Sequence, residues 1–395
     1  SNWIKLNAGV PTIPFRDIEL HERDDDIVGA TFGRGFYVLD DYAPLRDIST
    51  AVKNGSNTLF EIRDAWWYVP NVPMQAKGMP TLGSTSFVSD NPPFGVVFTY
   101  YLNELPKTAK TKRKEAEKSL RKQNASTPFP GWESLREESY ENEPRVMLLV
   151  RDETGEGVRW LEGTAKKGMH RTSWDLKRPA LDPINLVQPD FQPPWAGSSE
   201  GPLAAPGKYS VELFIVHNGQ LASQGTPKEF HIKPVPTGPS GTDFNAVAEF
   251  QVKTSELGRQ ISSANRKLGE ANDRLTHLKA ALKQTPKASP ELFERMNQLN
   301  KRLAELQTSL NGDRIRGGKD ESTSPSIRSR MGMVAYGHWD TRQNPTETQR
   351  QNIDIATKDF VAFKKSLLTY LNELENYEAA LEAAGAPYTK GRKLK

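Results

Sequence analysis

Gly207-Lys208-Tyr209-Ser210-Val211-Glu212-Leu213-Phe214-Ile215-Val216 is the stretch from which the fold is read. Much of it alternates between the two sides, as on a strand with one buried face. Asn218-Gly219 follows, a pair suited to the left-handed backbone of a tight hairpin. A last strand is expected at about 227–233. Working back, Met169–Leu176, Val158–Leu161, Arg145–Val150 and Gly95–Leu102 share its β-branched and aromatic density. Short strands, separated by turns and with no helices to cover a sheet, predict an antiparallel immunoglobulin- or fibronectin-like β-sandwich over 94–234. Inside it, residues 107–122 are helical in propensity, rich in Lys and Arg, and almost without an apolar stripe. They predict a solvated basic insertion at about 104–143, helical first and then looped. The proline-rich stretch 178–206 reads as a long loop.

Forward of the sandwich, 235–244 is a Pro/Gly/Ser linker, and beyond it the period changes from two to seven. Leu257, Ile261, Ala264, Leu268, Ala271, Leu275, Leu278 and Leu282 alternate steps of four and three. So do Leu292 to Leu310, and Ile353 to Leu381. Each series lies on one helical face. Ser289-Pro290 starts the second helix, Thr346 with Gln349 offers a capping box for the third with Asn344-Pro345 as the competing start, and Gly385 and Pro387 end it. The expectation is a C-terminal antiparallel bundle of three long helices over 245–388, with a long loop at 311–344.

Upstream, Asp26–Thr31 and Gly35–Leu39 are two short β runs joined by Phe32-Gly33-Arg34. Two strands alone do not make a stable domain, so they need partners. Residues 49–93 read as a connecting segment containing Trp66-Trp67-Tyr68. The whole is therefore a multidomain β-plus-α chain. Its 395 residues suit about two to four domains. The chain has no cysteine, which excludes disulfides, thiolate metal sites and a cysteine nucleophile. A net charge of +4 is too small to mark a nucleic-acid binder. No apolar run approaches a membrane span. The start, Ser1-Asn2-Trp3, is expected to follow a removed leader or a longer chain.

Asp26 to Arg46, with Gly33-Arg34-Gly35-Phe36-Tyr37-Val38-Leu39-Asp40-Asp41 at its centre, resembles the closing strands of bacterial sortilin-like (VPS10-type), BNR-repeat β-propellers, often labelled glycosyl-hydrolase-like. His170-Arg171-Thr172-Ser173-Trp174-Asp175-Leu176 and Pro206-Gly207-Lys208-Tyr209 match in character. The resemblance implies that residues 1–48 are the last strands of a propeller whose remainder is supplied in cis or by a separate chain. It also implies a secreted or periplasmic bacterial location. It carries over no catalytic residue, and the aspartate-box repeats do not occur here.

Candidate sites are few. Arg34 stands in the turn between two β runs, as a ligand contact or a packing residue. Trp66, Trp67 and Tyr68 read first as inter-domain packing, with 49–93 packed on the propeller, and alternatively as flat rings for a sugar face; adjacent strand residues point opposite ways, so at most two share a face. His338, Trp339 and Asp340 are placed in the long loop, where function concentrates. Asp24-Asp25-Asp26 reads as a solvated turn before a calcium site, since three consecutive carboxylates do not easily converge. His170 and Asp175 face opposite ways and set up no dyad. No catalytic, metal or cofactor site is assigned. Three functions are expected in turn: a non-catalytic accessory region supporting protein or glycan binding, part of a glycoside hydrolase, and an oligomer-assembly module acting through the helices. Specific nucleic-acid binding is not expected, because the basic run lacks interleaved aromatics.

Overall fold

A computed structural model describes residues 9–10, 12–70, 85, 91–180, 182–187, 191, 200–236, 241–339 and 341–392. The chain divides into a unit built on strands (residues 1–70, 79–176 and 206–235) and a unit built on helices (71–78, 177–205 and 236–395).

The strand unit opens with β1 (Phe15–His21), β2 (Asp26–Thr31) and β3 (Phe36–Leu39), an antiparallel meander. The Phe15 ring lies over Gly29, where any Cβ would collide with it. This corrects the propeller expectation. A blade has four strands and repeats around an axis. Among the described residues this sheet has three strands and no second copy. α1 (Ala43–Asn54) follows and ends on Gly55, left-handed at φ +61°.

Next come β4 (Thr58–Leu59), β5 (Ala65–Trp67), β6 (Val96–Leu102), α2 (Ala109–Lys122) and α3 (Trp132–Tyr140). α3 occupies part of what reads as loop. The remaining strands are β7 (Arg145–Asp152), β8 (Gly157–Gly163), β9 (Gly168–Trp174), β10 (Gly207–His217), β11 (Gln220–Ser223) and β12 (Lys228–Pro234). β4, β6 and β9 form one antiparallel sheet, and the other runs β5-β12-β10-β7-β8 with β11 on β10. β10, the strand quoted first, pairs with β7, β11 and β12. β5 lies parallel to β12, with Ala65 beside Ile232. The immunoglobulin-like sandwich is thus also corrected: the larger sheet is mixed, and the strands make an open half-barrel. The physical reason is β5, a three-residue strand from the connecting segment that completes the sheet edge. Phe98, Trp174, Tyr209 and Phe230 fill the interior, with ring centroids 5.6 to 6.4 Å apart.

The helical unit contains α4 (Phe244–Leu282), α5 (Pro290–Asn311), the single turn α6 (Arg314–Gly317), α7 (Ile327–His338) and α8 (Glu347–Ala383). A core of three long helices is therefore not what forms. α7 lies in the segment read as loop and buries Ile327, Met331, Val334 and His338 at four-three-four spacing among the side chains of α4, α5 and α8. α4 also begins earlier than its leucine series, with Val247 and Phe250 buried. Thr346 and Gln349 form a reciprocal capping box at the start of α8. Arg274 on α4 clasps Glu378 on α8 through two bonds of 2.9 and 2.7 Å.

Two tyrosines on α8, one heptad apart, are fully buried in this core. Burial pushes both phenols up to about 12. The Tyr377 hydroxyl donates to the Leu292 carbonyl at 3.1 Å, whereas the Tyr370 hydroxyl has no partner among the described residues. An unmet buried hydroxyl is unfavourable, and a made bond is worth about 1 kcal/mol. Tyr377→Phe should therefore destabilise by about 1 kcal/mol, and Tyr370→Phe should leave stability unchanged or raise it by up to about 1 kcal/mol. Urea unfolding midpoints of the two variants measure this directly.

Candidate functional site

Strand parity decides what faces out of the strand unit. On β5, Ala65 and Trp67 point inward and are buried, so Trp66 and the following Tyr68 point outward together. Trp66 is 50% exposed and Tyr68 40%. Tyr68 meets Phe94 edge-on at 4.9 Å, and Pro92 and Pro93 continue that wall into β6. On β9, burial of Trp174 turns Ser173 and Arg171 the other way. On β12, burial of Phe230 and Ile232 turns Lys233 outward. These side chains, with Asp24, Asp26, Asp40, Asp41, Arg63 and Asp64, surround an open cleft of about 830 Å³.

The cleft is lined by both rings and a charge lattice, and the two meet at β5, where Lys233 of β12 lies beside Trp66. Arg63 donates to the Asp24 carbonyl at 2.5 Å and stands 3.5 Å from the Asp26 carboxylate. Asp26 accepts the Asp41 N–H at 2.9 Å, and Arg171 donates to the Asp41 carbonyl at 2.6 Å. Asp64 accepts from Lys233 at 2.5 Å and from the His231 N–H at 2.7 Å. Burial acts to raise the Asp64 carboxyl, but these two donors outweigh it and hold it below the usual carboxylate range. Asp24 is lowered by its hydrogen bonds to Arg23. Asp41 goes the other way. It is 8% exposed, and burial raises its carboxyl against the pull of Arg63 and Arg171. Its backbone is left-handed at φ +48°.

His21, Asp24 and Asp26 bring one ligand atom each within 4.8 Å of one another. Their charges are already matched, because the three consecutive aspartates go to three arginines: Asp24 to Arg23, Asp25 to Arg46 and Asp26 to Arg63.

Of the residues singled out from sequence, the structure brings Trp66 and Tyr68 into the cleft. Trp67 is buried behind them. Arg34 is exposed in the β2–β3 turn and does not line the cleft. His338 is 1% exposed in the helical core. Its Nε2 stands 3.1 Å from the Gln343 carbonyl, and its Nδ1 stands 3.4 Å from the Gln251 amide nitrogen. A neutral ring with hydrogen on Nε2 satisfies both contacts. Trp339 donates its indole N–H to Thr254 at 3.1 Å. Asp340 lies outside the described residues. Arg63, Asp64, Arg171, Lys233 and Asp41 were not singled out from sequence. The available signal was parity: Arg171 and Ser173 are the residues opposite the buried Trp174 face.

Compared with known protein families, with characterised proteins and with solved structures, the chain matches none. The resemblance to sortilin-like, BNR-repeat propellers is accordingly withdrawn, on the lack of any family match and on the three-stranded meander at 15–39.

Burial lowers the His338 imidazole below its ordinary value, and the nearby Arg350 adds to this. The unfolded chain then binds a proton more readily than the folded one below about pH 6.5. The stability due to the neutral ring is complete above that pH and falls as pH drops through the window beneath it. Urea midpoints should therefore decline from pH 7 to pH 5, and His338→Gln should flatten that slope whatever it does to absolute stability.

Proposed function

We propose that this chain is a non-catalytic binding region whose cleft takes a saccharide. One observation carries the reading: Trp66 and the following Tyr68 stand half-exposed on one side of the chain at β5, in a cleft that fixed carboxylates and guanidinium groups also line. Sugar rings offer C–H faces that pack on aromatic rings, and hydroxyls that bond to planar charged groups. Concave sites with apolar walls and a few placed polar groups are the usual ligand sites. Among the described residues no helix is long and apolar enough to cross a membrane. A secreted or periplasmic setting goes with a glycan ligand. Binding should appear by calorimetry against a panel of neutral oligosaccharides. Trp66→Ala and Tyr68→Ala should each weaken it about tenfold or more, the loss of about 1.4 kcal/mol expected from a stacked ring, with unchanged melting temperature. Failure of every oligosaccharide to bind, or wild-type affinity in Trp66→Ala, would sink the proposal.

A second reading has its own observation. Asp41 and Asp64 line the same cleft, and their surroundings push their acidities apart. Such a division is how one carboxyl stays protonated as a general acid while another stays ionised. Release of reducing ends from a bound oligosaccharide, abolished in Asp41→Asn with binding retained, would favour a hydrolase. Assembly through the helices has less to rest on, because the leucine series lie within the helical unit's own core.

A further inference from the structure

α2 is basic along its whole length, yet few of its cations serve the fold. Arg113 does: it clasps Glu138 on α3 at 2.7 and 2.8 Å and reaches Glu117 at 2.6 Å. Lys107 pairs with Glu115. The Ala109 N–H donates to the Glu141 carboxylate at 2.6 Å, which also accepts from Asn218 in the β10–β11 turn at 2.9 Å. These bonds seat the α2–α3 hairpin on the strands. Lys110, Lys114, Lys118 and Lys122 make no ion pair among the described residues, and neither does Lys112, although Lys110 and Lys114 add their field to Arg113's in lowering the Glu138 carboxyl. Spaced by four, the first four of these follow one ridge of the helix for about 18 Å. All four are exposed, and none has a carboxylate within ion-pair distance among the described residues. Like charges four apart repel, so the row works against the helix it stands on. α2 has no buried residue in return.

The connection into α3 carries the second feature. Phe129 and Trp132 pack edge-to-face at 5.1 Å, with 62% and 71% of their surfaces in solvent. We infer that this hairpin is a peripheral docking surface for an anionic lipid bilayer, with the lysine row over the headgroups and the Phe129–Trp132 pair in the interface. The charge is complementary, and lysines are point charges on flexible stems that suit fluid headgroups better than a fixed bidentate partner. Aromatic rings, Trp above all, favour the membrane–water boundary. Without an apolar stripe, α2 lies on the bilayer and does not enter it. A single nucleic-acid strand would call for rings along the track, and here they stand at one end. α3 carries Glu133, Glu137 and Glu138, so the hairpin divides its charge between its two helices.

The test is co-sedimentation of the full chain with phosphatidylcholine vesicles, with and without phosphatidylglycerol, at low and high salt. Binding is expected only with the anionic lipid and only at low salt. Replacing Lys110, Lys114, Lys118 and Lys122 together by Gln, a residue that keeps helix propensity, should weaken it by about tenfold or more. Arginine at the same four positions should restore it, and Trp132→Ala should weaken it at unchanged charge. Equal binding to neutral vesicles, wild-type binding by a folded quadruple Gln variant, or retention by heparin or single-stranded DNA with no vesicle binding would each overturn the inference. If the Gln variant fails to fold, the Arg variant and Trp132→Ala decide: full binding by Trp132→Ala with none by the Arg variant would overturn it as well.

Discussion

Four rings hold the strand unit together, and its outward chemistry follows from them. Phe98 meets Phe230 at 5.6 Å, Trp174 meets Tyr209 at 5.7 Å, and Tyr209 stacks on Phe230 at 5.9 Å. The contacts join β6 and β9 of one sheet to β10 and β12 of the other. Aromatic pairs of this kind add to their burial by about 0.5–1.5 kcal/mol each. More important is what they dictate for neighbours. With Trp174 inward, Arg171 and Ser173 must face outward. With Phe230 and Ile232 inward, Lys233 must face outward, and with Trp67 inward, Trp66 and Tyr68 must. The cleft is the reverse side of the core, so a register slip of one residue would exchange the two.

The electrostatics of the cleft follow the same economy. Asp24, Asp25, Asp26 and Asp64 each have a cation within 4 Å. Exposed pairs of this sort add little stability but hold side chains in defined places. Asp41 differs because its carboxyl is buried and, among the described residues, takes only the Ala43 N–H, while Asp26 and Arg171 bond to its backbone groups. Desolvation without a dedicated ion pair is what raises its pKa, making it the weaker acid. A binding cleft has no need of such a group, and a hydrolytic one does, which is why the saccharide and hydrolase readings separate at this single residue.

What the sequence makes legible is local. Alternation on β10 and β9 and the heptad series on α4, α5 and α8 identify inward-facing side chains, because strand and helix periods are properties of a few consecutive residues. Trp66 and Tyr68 were legible for the same reason. Pairing between distant segments was not. β5 is three residues long and completes its sheet beside β12, across most of the strand unit's sequence. That is why a mixed half-barrel forms where an all-antiparallel sandwich was read. The polar lining of the cleft comes from residues near 26, 41, 63, 171 and 233, and no spacing rule connects these. The propeller reading took a local likeness at 26–46 as evidence for a repeat, and a meander of three strands satisfies that local pattern equally well.

The helical unit shows the same limit from inside a periodic pattern. The α4 series continues backward from Leu257 through Thr254 and Phe250 to Val247, still at steps of three and four. It escapes a search for leucines because Thr254 and its neighbour in the core, Gln251, are polar. Burying them is unfavourable unless they are bonded. Thr254 accepts from Trp339, and Gln251 reaches both the ring and the carbonyl of His338 at 3.4 and 3.3 Å. Those two partners stand at the end of α7, the helix absent from the three-helix reading. Apolar stripes would let α7 slide by a turn against α4 with modest loss, whereas these bonds close in one register only. The polar residues that hide both helix segments from the heptad are the same ones that specify how the two segments meet.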